Sequence, residues 1–471
     1  MGYRGLKGDA MKVEKIAKVG RIGWVNWMLL TLCFIGIPAL AQADVSDILL
    51  KFYPYLTVQE EYSTNILLSP NRFKLADYIT TINPGLRFNT LKPGEYWVDL
   101  DVSGGYTYYK KNHDFSYWDY HGRLDTWYAV DPKLTFRLRD YSIRSDAARE
   151  LQYGNLYDAE GQYIGDTQPD QYLIATQSGV HGVYIRNVAE PSVEYRFGRE
   201  NLVRLLYRNN IYDNNNNPLF EDSTENSINP LINYWFDVRN GITVEYALTF
   251  GHFQTSPNLV SHMLRDRYTY RVNPKLSFFG EYIFIREDLK NPGLDYDVHN
   301  PSLGIQYRFS PTLTGTLQGG YFWQLSQDDL TTRGPFFHVD LTQRAQKTSY
   351  ALVGEGGYYR DYFTSQNLGF NKYYRAYGTI NHWFTPRWSA GLTGSVDRVW
   401  YPESRKDWIW DARLRVSYAL FRWLTVGLEG GHREDRSTSD GVGYSEYSGI
   451  VWITLARPGY QPGAIGGPVY R

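Results

Sequence analysis

The chain reads as all-β, a transmembrane antiparallel up-and-down β-barrel of about twenty strands, and three observations predict it. Short polar turns recur at a regular interval from about Phe52 to Leu455. The segments between them alternate apolar and charged residues. Aromatic content is 17%, with 14 Trp, 42 Tyr and 22 Phe, far above an ordinary soluble domain. A membrane barrel uses such residues, because Tyr and Trp place an apolar ring toward lipid and a polar tip at the water interface. Mean hydropathy of −0.47 leaves no helical span in the body.

The turns come first. Thr90–Gly94, Asp131–Lys133, Gly198–Asn201, Val238–Gly241 and Asn273–Lys275 are followed by Ser310–Thr312, Gln346–Thr348, Thr385–Arg387 and Phe421–Arg422. Polar residues with Pro or Gly end strands cleanly at such places. The spacing is about 36 residues, with one gap near 67, so each unit is two strands plus a longer loop. A membrane strand needs about 9–11 tilted residues to cross. Nine short turns give eighteen strands, and end strands near Phe52–Tyr62 and Tyr444–Leu455 make twenty; a miscounted end would leave 18. Even parity puts both termini in the periplasm.

Alternation assigns the faces. Leu124, Thr126, Tyr128 and Val130 oppose Arg123, Asp125 and Trp127, and Leu134, Phe136 and Leu138 oppose Thr135, Arg137 and Arg139. Val98, Leu100 and Val102 oppose Trp97, Asp99 and Asp101, and Leu414 and Val416 oppose Arg413 and Arg415. Charges at mid-strand are costly against lipid, so the charged face looks into water. A soluble sandwich also alternates, but without this density of charge and aromatics on long strands. No plug domain is expected, since few residues precede the first strand.

Residues 1–43 read as a signal peptide: basic Arg4 to Arg21, an apolar stretch Trp24–Leu40, and Ala41-Gln42-Ala43 before cleavage. Asn26 and Pro38 disfavour a retained anchor helix, and Met11 is an alternative start. The barrel then covers 44–456 and a Gly/Pro-rich periplasmic tail 457–471. Cys33 is the only cysteine, which excludes a disulfide scaffold or thiol chemistry in the mature chain. Removing 1–43 leaves 43 basic and 48 acidic residues, net about −5. That balance points to no nucleic acid.

The first hairpin carries a resemblance. Glu60-Glu61-Tyr62, Asn65-Ile66-Leu67, Asp77-Tyr78-Ile79-Thr80 and Pro84-Gly85-Leu86 resemble the opening of the outer-membrane β-barrel porins associated with exopolysaccharide and capsule gene clusters. Ser63-Thr64 departs from that pattern, and beyond this hairpin the similarity is one of barrel pattern and length. The resemblance implies an outer-membrane pore linked to export of surface polysaccharide. It transfers no functional residues.

Candidate site residues follow from the 67-residue gap. It inserts a loop, Asp146–His181, carrying Glu150, Asp158, Glu160, Asp166 and Asp170. Long loops are commonly functional. Folded into the lumen, its carboxylates would face Arg137, Arg139, Arg204, Arg208, Arg267 and Arg271, and opposed charges across a narrow pore order polar solutes. The alternative is an extracellular cap. Tyr53, Tyr55, Trp97, Trp127 and Trp383 share the polar face, where they could stack on sugars or belong to interfacial belts. Asn214–Asn217 with Glu221 and Asp222 could hold a divalent cation or form a solvated loop.

Enzyme readings find little support. The histidines, among them His113, His121, His252, His262, His299, His338, His382 and His432, are scattered, with no nucleophile–base motif and no metal-ligand spacing. No cofactor is expected. The function expected is a pore for hydrophilic solutes in the outer membrane of a Gram-negative cell. Its expected partners are outer-membrane lipid and lipopolysaccharide, polysaccharide cargo and periplasmic export proteins. A second class of reading is a structural barrel sheathing a periplasmic secretion or redox partner; a barrel hydrolase is the third.

Overall fold

A computed structural model describes residues 51–146, 182–214, 221–290, 295–326, 332–363, 369–401 and 404–458. The chain divides into Met1–Phe52 and Tyr53–Arg471, and the second unit holds the barrel. Its first strands are β1 (Phe52–Ser63), β2 (Asp77–Lys92), β3 (Tyr96–Tyr109), β4 (Tyr117–Ala129), β5 (Leu134–Asp146), β6 (Val183–Arg196) and β7 (Leu202–Asp213). Next come β8 (Ser223–Trp235), β9 (Asn240–Phe253), β10 (Leu259–Asn273), β11 (Leu276–Leu289), β12 (Tyr296–Ser310), β13 (Leu313–Ser326) and β14 (Arg333–Arg344). The wall is completed by β15 (Thr348–Asp361), β16 (Gly369–Thr385), β17 (Trp388–Trp400), β18 (Lys406–Phe421), β19 (Leu424–Ser437) and β20 (Tyr444–Ala456).

Each strand pairs antiparallel with its sequence neighbours, and β1 pairs with β20 from Tyr55↔Ala456 to Ser63↔Ser448. The sheet therefore closes on itself and leaves no open edge, as a strand-built membrane span requires. All nine expected short turns and both end strands fall where the sequence puts them. Among the described residues there is wall, turn and loop, but no plug.

One device recurs at the short-turn end. A side-chain oxygen at the end of one strand accepts from the backbone N–H groups two and three residues on. Asp131 takes Lys133 (2.6 Å) and Leu134 (2.9 Å), and Asp237 takes Arg239 (2.6 Å) and Asn240 (2.9 Å). Asn273, Ser310 and Thr385 repeat the pattern. These Asx and Ser/Thr turns fix the turn by local bonds alone. The same bonds hold the Asp131 and Asp237 carboxyls below the usual carboxylate range.

Cross-strand register separates the faces. Val58, Leu86, Val102, Phe136, Val203, Ile232, Leu303, Leu392, Leu414 and Val451 stand exposed on the outer face. A continuous exposed apolar wall of this extent belongs against lipid, which makes the barrel transmembrane. The inner face carries the cross-strand ion pairs of the mid-wall, such as Arg87–Asp99 and Arg265–Glu281.

The residues of the first-hairpin motif contact one another. Asn65 Nδ2 donates to Ser69 O (2.7 Å), while its Oδ1 accepts from Ser69 N (3.0 Å). Ile66, Leu67 and Ile79 bury beside Tyr109 and Tyr117. Thr80 donates to Glu60 (2.6 Å), and Asp77 accepts from the backbone N–H of Lys111 and Asn112 (both 2.9 Å). A Cβ at Gly85 would come within 2.2 Å of the Tyr55 ring. The contacts of Asn65, Ile66, Asp77 and Ile79 thus fasten the long-loop end of β1–β4, while Gly85 meets Tyr55 lower on the wall.

Candidate functional site

The lumen wall is a girdle of ion pairs made across strands. Arg87 (2.8 Å) and Arg123 (2.7 Å) share Asp99. Arg265 bridges Glu245 (3.6 Å) and Glu281 (2.8 Å). Arg375 reaches Glu355 (3.7 Å) and Asp397, while Arg413 (3.1 Å) and Arg433 (2.9 Å) meet on Asp411. Inward positions recur every second residue, so charges two apart on one strand meet partners on the next.

All six arginines singled out by sequence lie on this inner face, and the structure gives them separate surroundings. Arg137 pairs with Asp125 (3.1 Å), and Arg139 lies 3.9 Å from the same carboxylate. Arg208 joins Glu190 (2.7 Å) to Glu225 (3.4 Å). Arg267 lies over the Phe279 ring (3.7 Å) and 3.9 Å from Glu281. Arg271 stacks on Trp235 (3.5 Å) and binds Glu200 (2.7 Å) near the short-turn rim, where that bond holds the Glu200 carboxyl low. The Arg204 Nε is buried with no hydrogen-bond partner among the described residues. Glu150, Asp158, Glu160, Asp166 and Asp170 lie outside the described residues.

The wall also carries inward aromatics toward the short-turn end. Trp97 and Trp127 are direct cross-strand partners, and Tyr55 donates to Asp101 (2.8 Å). Trp452, unremarked in the sequence, lies under Arg415 at 4.2 Å. Trp383 pairs with Ser389 on the same face, and Tyr53 lies 6.0 Å from the Arg457 guanidinium.

The largest departure from the sequence reading is the element that narrows the lumen. β14 and β15 pair only as far as Phe337↔Gly356, yet β15 and β16 continue to Asp361↔Gly369. Beyond Gly356-Gly357 the hairpin leaves the wall and leans across the interior. Arg360 then reaches Glu287 on β11 and Ser261 on β10 (3.1 Å), both lumen-facing. Tyr362 and Tyr296 meet hydroxyl to hydroxyl at 2.6 Å. Tyr358 packs on Phe322 (5.1 Å) and Phe363 on Phe253 (5.4 Å), while Tyr359 and Tyr373 bury with Val399, Tyr401 and Ile409. Both faces of the hairpin tip are therefore covered. A Cβ on Gly356 would lie 2.3 Å from the Tyr374 ring and 2.5 Å from that of Phe337, so the departure point needs glycine. The signal in the sequence is Gly356-Gly357 followed by Tyr358, Tyr359, Tyr362 and Phe363, a run with aromatic rings on both faces.

Glu221 proves to be a loop fastener. It accepts from Thr255 N (2.7 Å), Ser256 Oγ (2.9 Å) and the Thr255 hydroxyl. Burial would raise its carboxyl pKa, but these bonds outweigh it and hold the group below the usual range. Asn215, Asn216 and Asn217 lie outside the described residues, whereas Asn214 N donates to Asp222 (2.9 Å). Among the described residues no group of three or more His, Cys, Asp or Glu is placed to hold a metal ion.

No family model matches the chain, and no curated protein matches its sequence. Similar solved structures include the siderophore receptor PirA from Pseudomonas aeruginosa, at 9% identity and TM-score 0.47, covering 86% of this chain and 80% of that one. OccAB4 from Acinetobacter baumannii is 11% identical with TM-score 0.40, over 86% and 98% of the two chains. The outer membrane protein opdK from Pseudomonas aeruginosa is 10% identical with TM-score 0.38, over 86% and 99%.

Proposed function

We propose that this chain is an outer-membrane pore for hydrophilic solutes in a Gram-negative cell, with short turns and both ends of the barrel in the periplasm. The observation that carries the reading is the ion-paired inner wall, enclosed by an apolar outer wall. Paired charges offer polar solutes hydrogen bonds without a net field of one sign, and water must fill the space they line. The β15–β16 hairpin narrows the long-loop end, so passage runs beside it, along β16–β20 and β1–β8. Arg137, Arg139, Arg204 and Arg208 line that route.

The finer reading is a link to export of surface polysaccharide. It rests on the first-hairpin resemblance, and inward Trp97, Trp127 and Trp383 add flat rings that suit sugar C–H faces. The purified protein in planar bilayers should give ohmic channels, and a sheath around a periplasmic partner would give none. A deletion strain should lose surface polysaccharide with normal lipid composition; unchanged polysaccharide removes the finer reading and leaves the pore.

A further inference from the structure

On the outer face of β17 the composition switches at one level. Outward positions run Trp388, Ala390, Leu392, Gly394 and Val396, and then Arg398 and Trp400. The ten residues from Trp388 to Arg398, at a rise of about 3.3 Å and a tilt of about 40°, climb roughly 25 Å, the height of a barrel's apolar band. The same interval separates Tyr418 from Trp408 on β18, and the two strands pair as Trp388↔Tyr418 and Arg398↔Trp408. Trp408 pairs in turn with Arg436 on β19. Arg398, Lys406 and Arg436 therefore stand at the upper edge of the hydrocarbon, where lipid head groups begin.

These cations lie among rings. The Arg398 guanidinium is 4.8 Å from the Trp400 ring and 4.9 Å from that of Trp408, and Arg436 is 5.1 Å from Trp410. Lys406, exposed, pairs across strands with Trp400. Glu434 on the same face takes Arg436 at 2.7 Å. Among the described residues no carboxylate lies within ion-pair distance of Arg398 or Lys406. The outward Arg286 on β11 differs, with Asp288 at 2.9 Å and Asp297 at 3.9 Å. Directly beneath the cations the wall is shallow. Among the described residues a Cβ on outward Gly430 would meet nothing within 4 Å, and one on Gly394 only the Asp411 carbonyl oxygen, at 3.5 Å. An anionic head on an apolar tail fits that relief, and lipid is what borders this face.

We propose that the outer face of β17–β19, at the long-loop end, binds lipopolysaccharide through its phosphorylated sugar. A phosphate accepts charge-assisted hydrogen bonds from the Arg398 guanidinium and the Lys406 ammonium. The two indoles beside Arg398 hold its fork at head-group level. Trp408, exposed, offers a flat face to sugar C–H groups, and acyl chains run down the strip over Gly394 and Gly430. A free phosphate would use the cations alone. Phosphate, sugar ring and chains in one molecule use the whole relief. The choice of an outer-leaflet lipid rests on the proposed orientation, with long loops facing out, and is independent of conduction.

Purified protein, stripped of lipid in mild detergent, is titrated by native mass spectrometry with lipid A, dephosphorylated lipid A and phosphatidylglycerol. Lipid A should bind the wild type. Lys406→Gln, an exposed change, should weaken it about five-fold, and Arg398→Gln/Lys406→Gln about 30-fold, with the barrel folded by its heat-modifiable migration. Dephosphorylated lipid A should bind wild type and double variant alike. Lys275→Gln/Lys347→Gln removes the same charge at the short-turn end and should bind lipid A as the wild type does. No binding of lipid A, undiminished binding in the double variant, or equal weakening by the short-turn pair overturns the site. Phosphatidylglycerol bound as tightly, and lost in the double variant, overturns lipopolysaccharide as the occupant. Orientation is read separately: in a Cys33→Ser background, exposed Ser404→Cys should react with a membrane-impermeant maleimide on intact cells. No labelling overturns the outer-leaflet assignment, whatever the purified protein binds.

Discussion

Replacing Arg360 by Met removes the ion pair with Glu287 that joins the β15–β16 hairpin tip to the far wall. Glu287 is then left wholly buried, with the Ser261 hydroxyl (3.0 Å) as its remaining donor among the described residues, close to Tyr296, Val298 and Ile285. Breaking a buried pair from one side costs about 3–5 kcal/mol, because the remaining charge is uncompensated. Tyr362–Tyr296 and the ring contacts of Tyr358 and Phe363 remain to hold the tip. Converted at about 1.4 kcal/mol per decade, the loss shifts the balance between inserted and withdrawn hairpin by roughly 10²–10⁴. Single-channel conductance in planar bilayers should rise for Arg360→Met. The double variant Arg360→Met/Glu287→Leu, which leaves no orphaned charge, should return toward wild type. Unchanged conductance in the single variant refutes the constriction, and equal rises in single and double variants refute the ion pair as its fastener.

Leu392 and Thr393 face opposite ways on β17, so Leu392→Arg should cost about 2–4 kcal/mol in the folding equilibrium; Thr393→Arg should leave stability near wild type but change conductance, and equal costs in urea titration would invert the face assignment. Glu221 has a lowered carboxyl pKa in the fold, so the stability it lends is present above the ordinary carboxylate pKa and is lost as pH falls through the lowered value. Limited proteolysis should find the loops around 221 and 255 increasingly cleavable below about pH 4.5, and Glu221→Ala should show that sensitivity already at neutral pH.

Much of the barrel was legible because its determinants are local. Asp131, Asp237 and Asn273 close their turns with bonds two and three residues away. Alternation along β3, β4 and β5 declares which face meets water. The pairing of Arg137 with Asp125 was less legible, since it depends on register between strands. The strands β15 and β16 are legible from their turns, but the inward lean of their tip is not. Nothing in Tyr358–Phe363 states that β14 ends its pairing at Phe337 or that Glu287 and Tyr296, more than sixty residues earlier, supply the surface that receives it.

By itself, then, the sequence determined a closed twenty-stranded wall with charge inside and hydrocarbon outside, because period-two patterning and short-range turn bonds suffice for that. The tertiary structure decided what lies within and beside the wall. Arg360 finds Glu287 only across the lumen, and Arg265 bridges Glu245 and Glu281 only when three strands are set in register. Long-range juxtaposition costs chain entropy that no local pattern records.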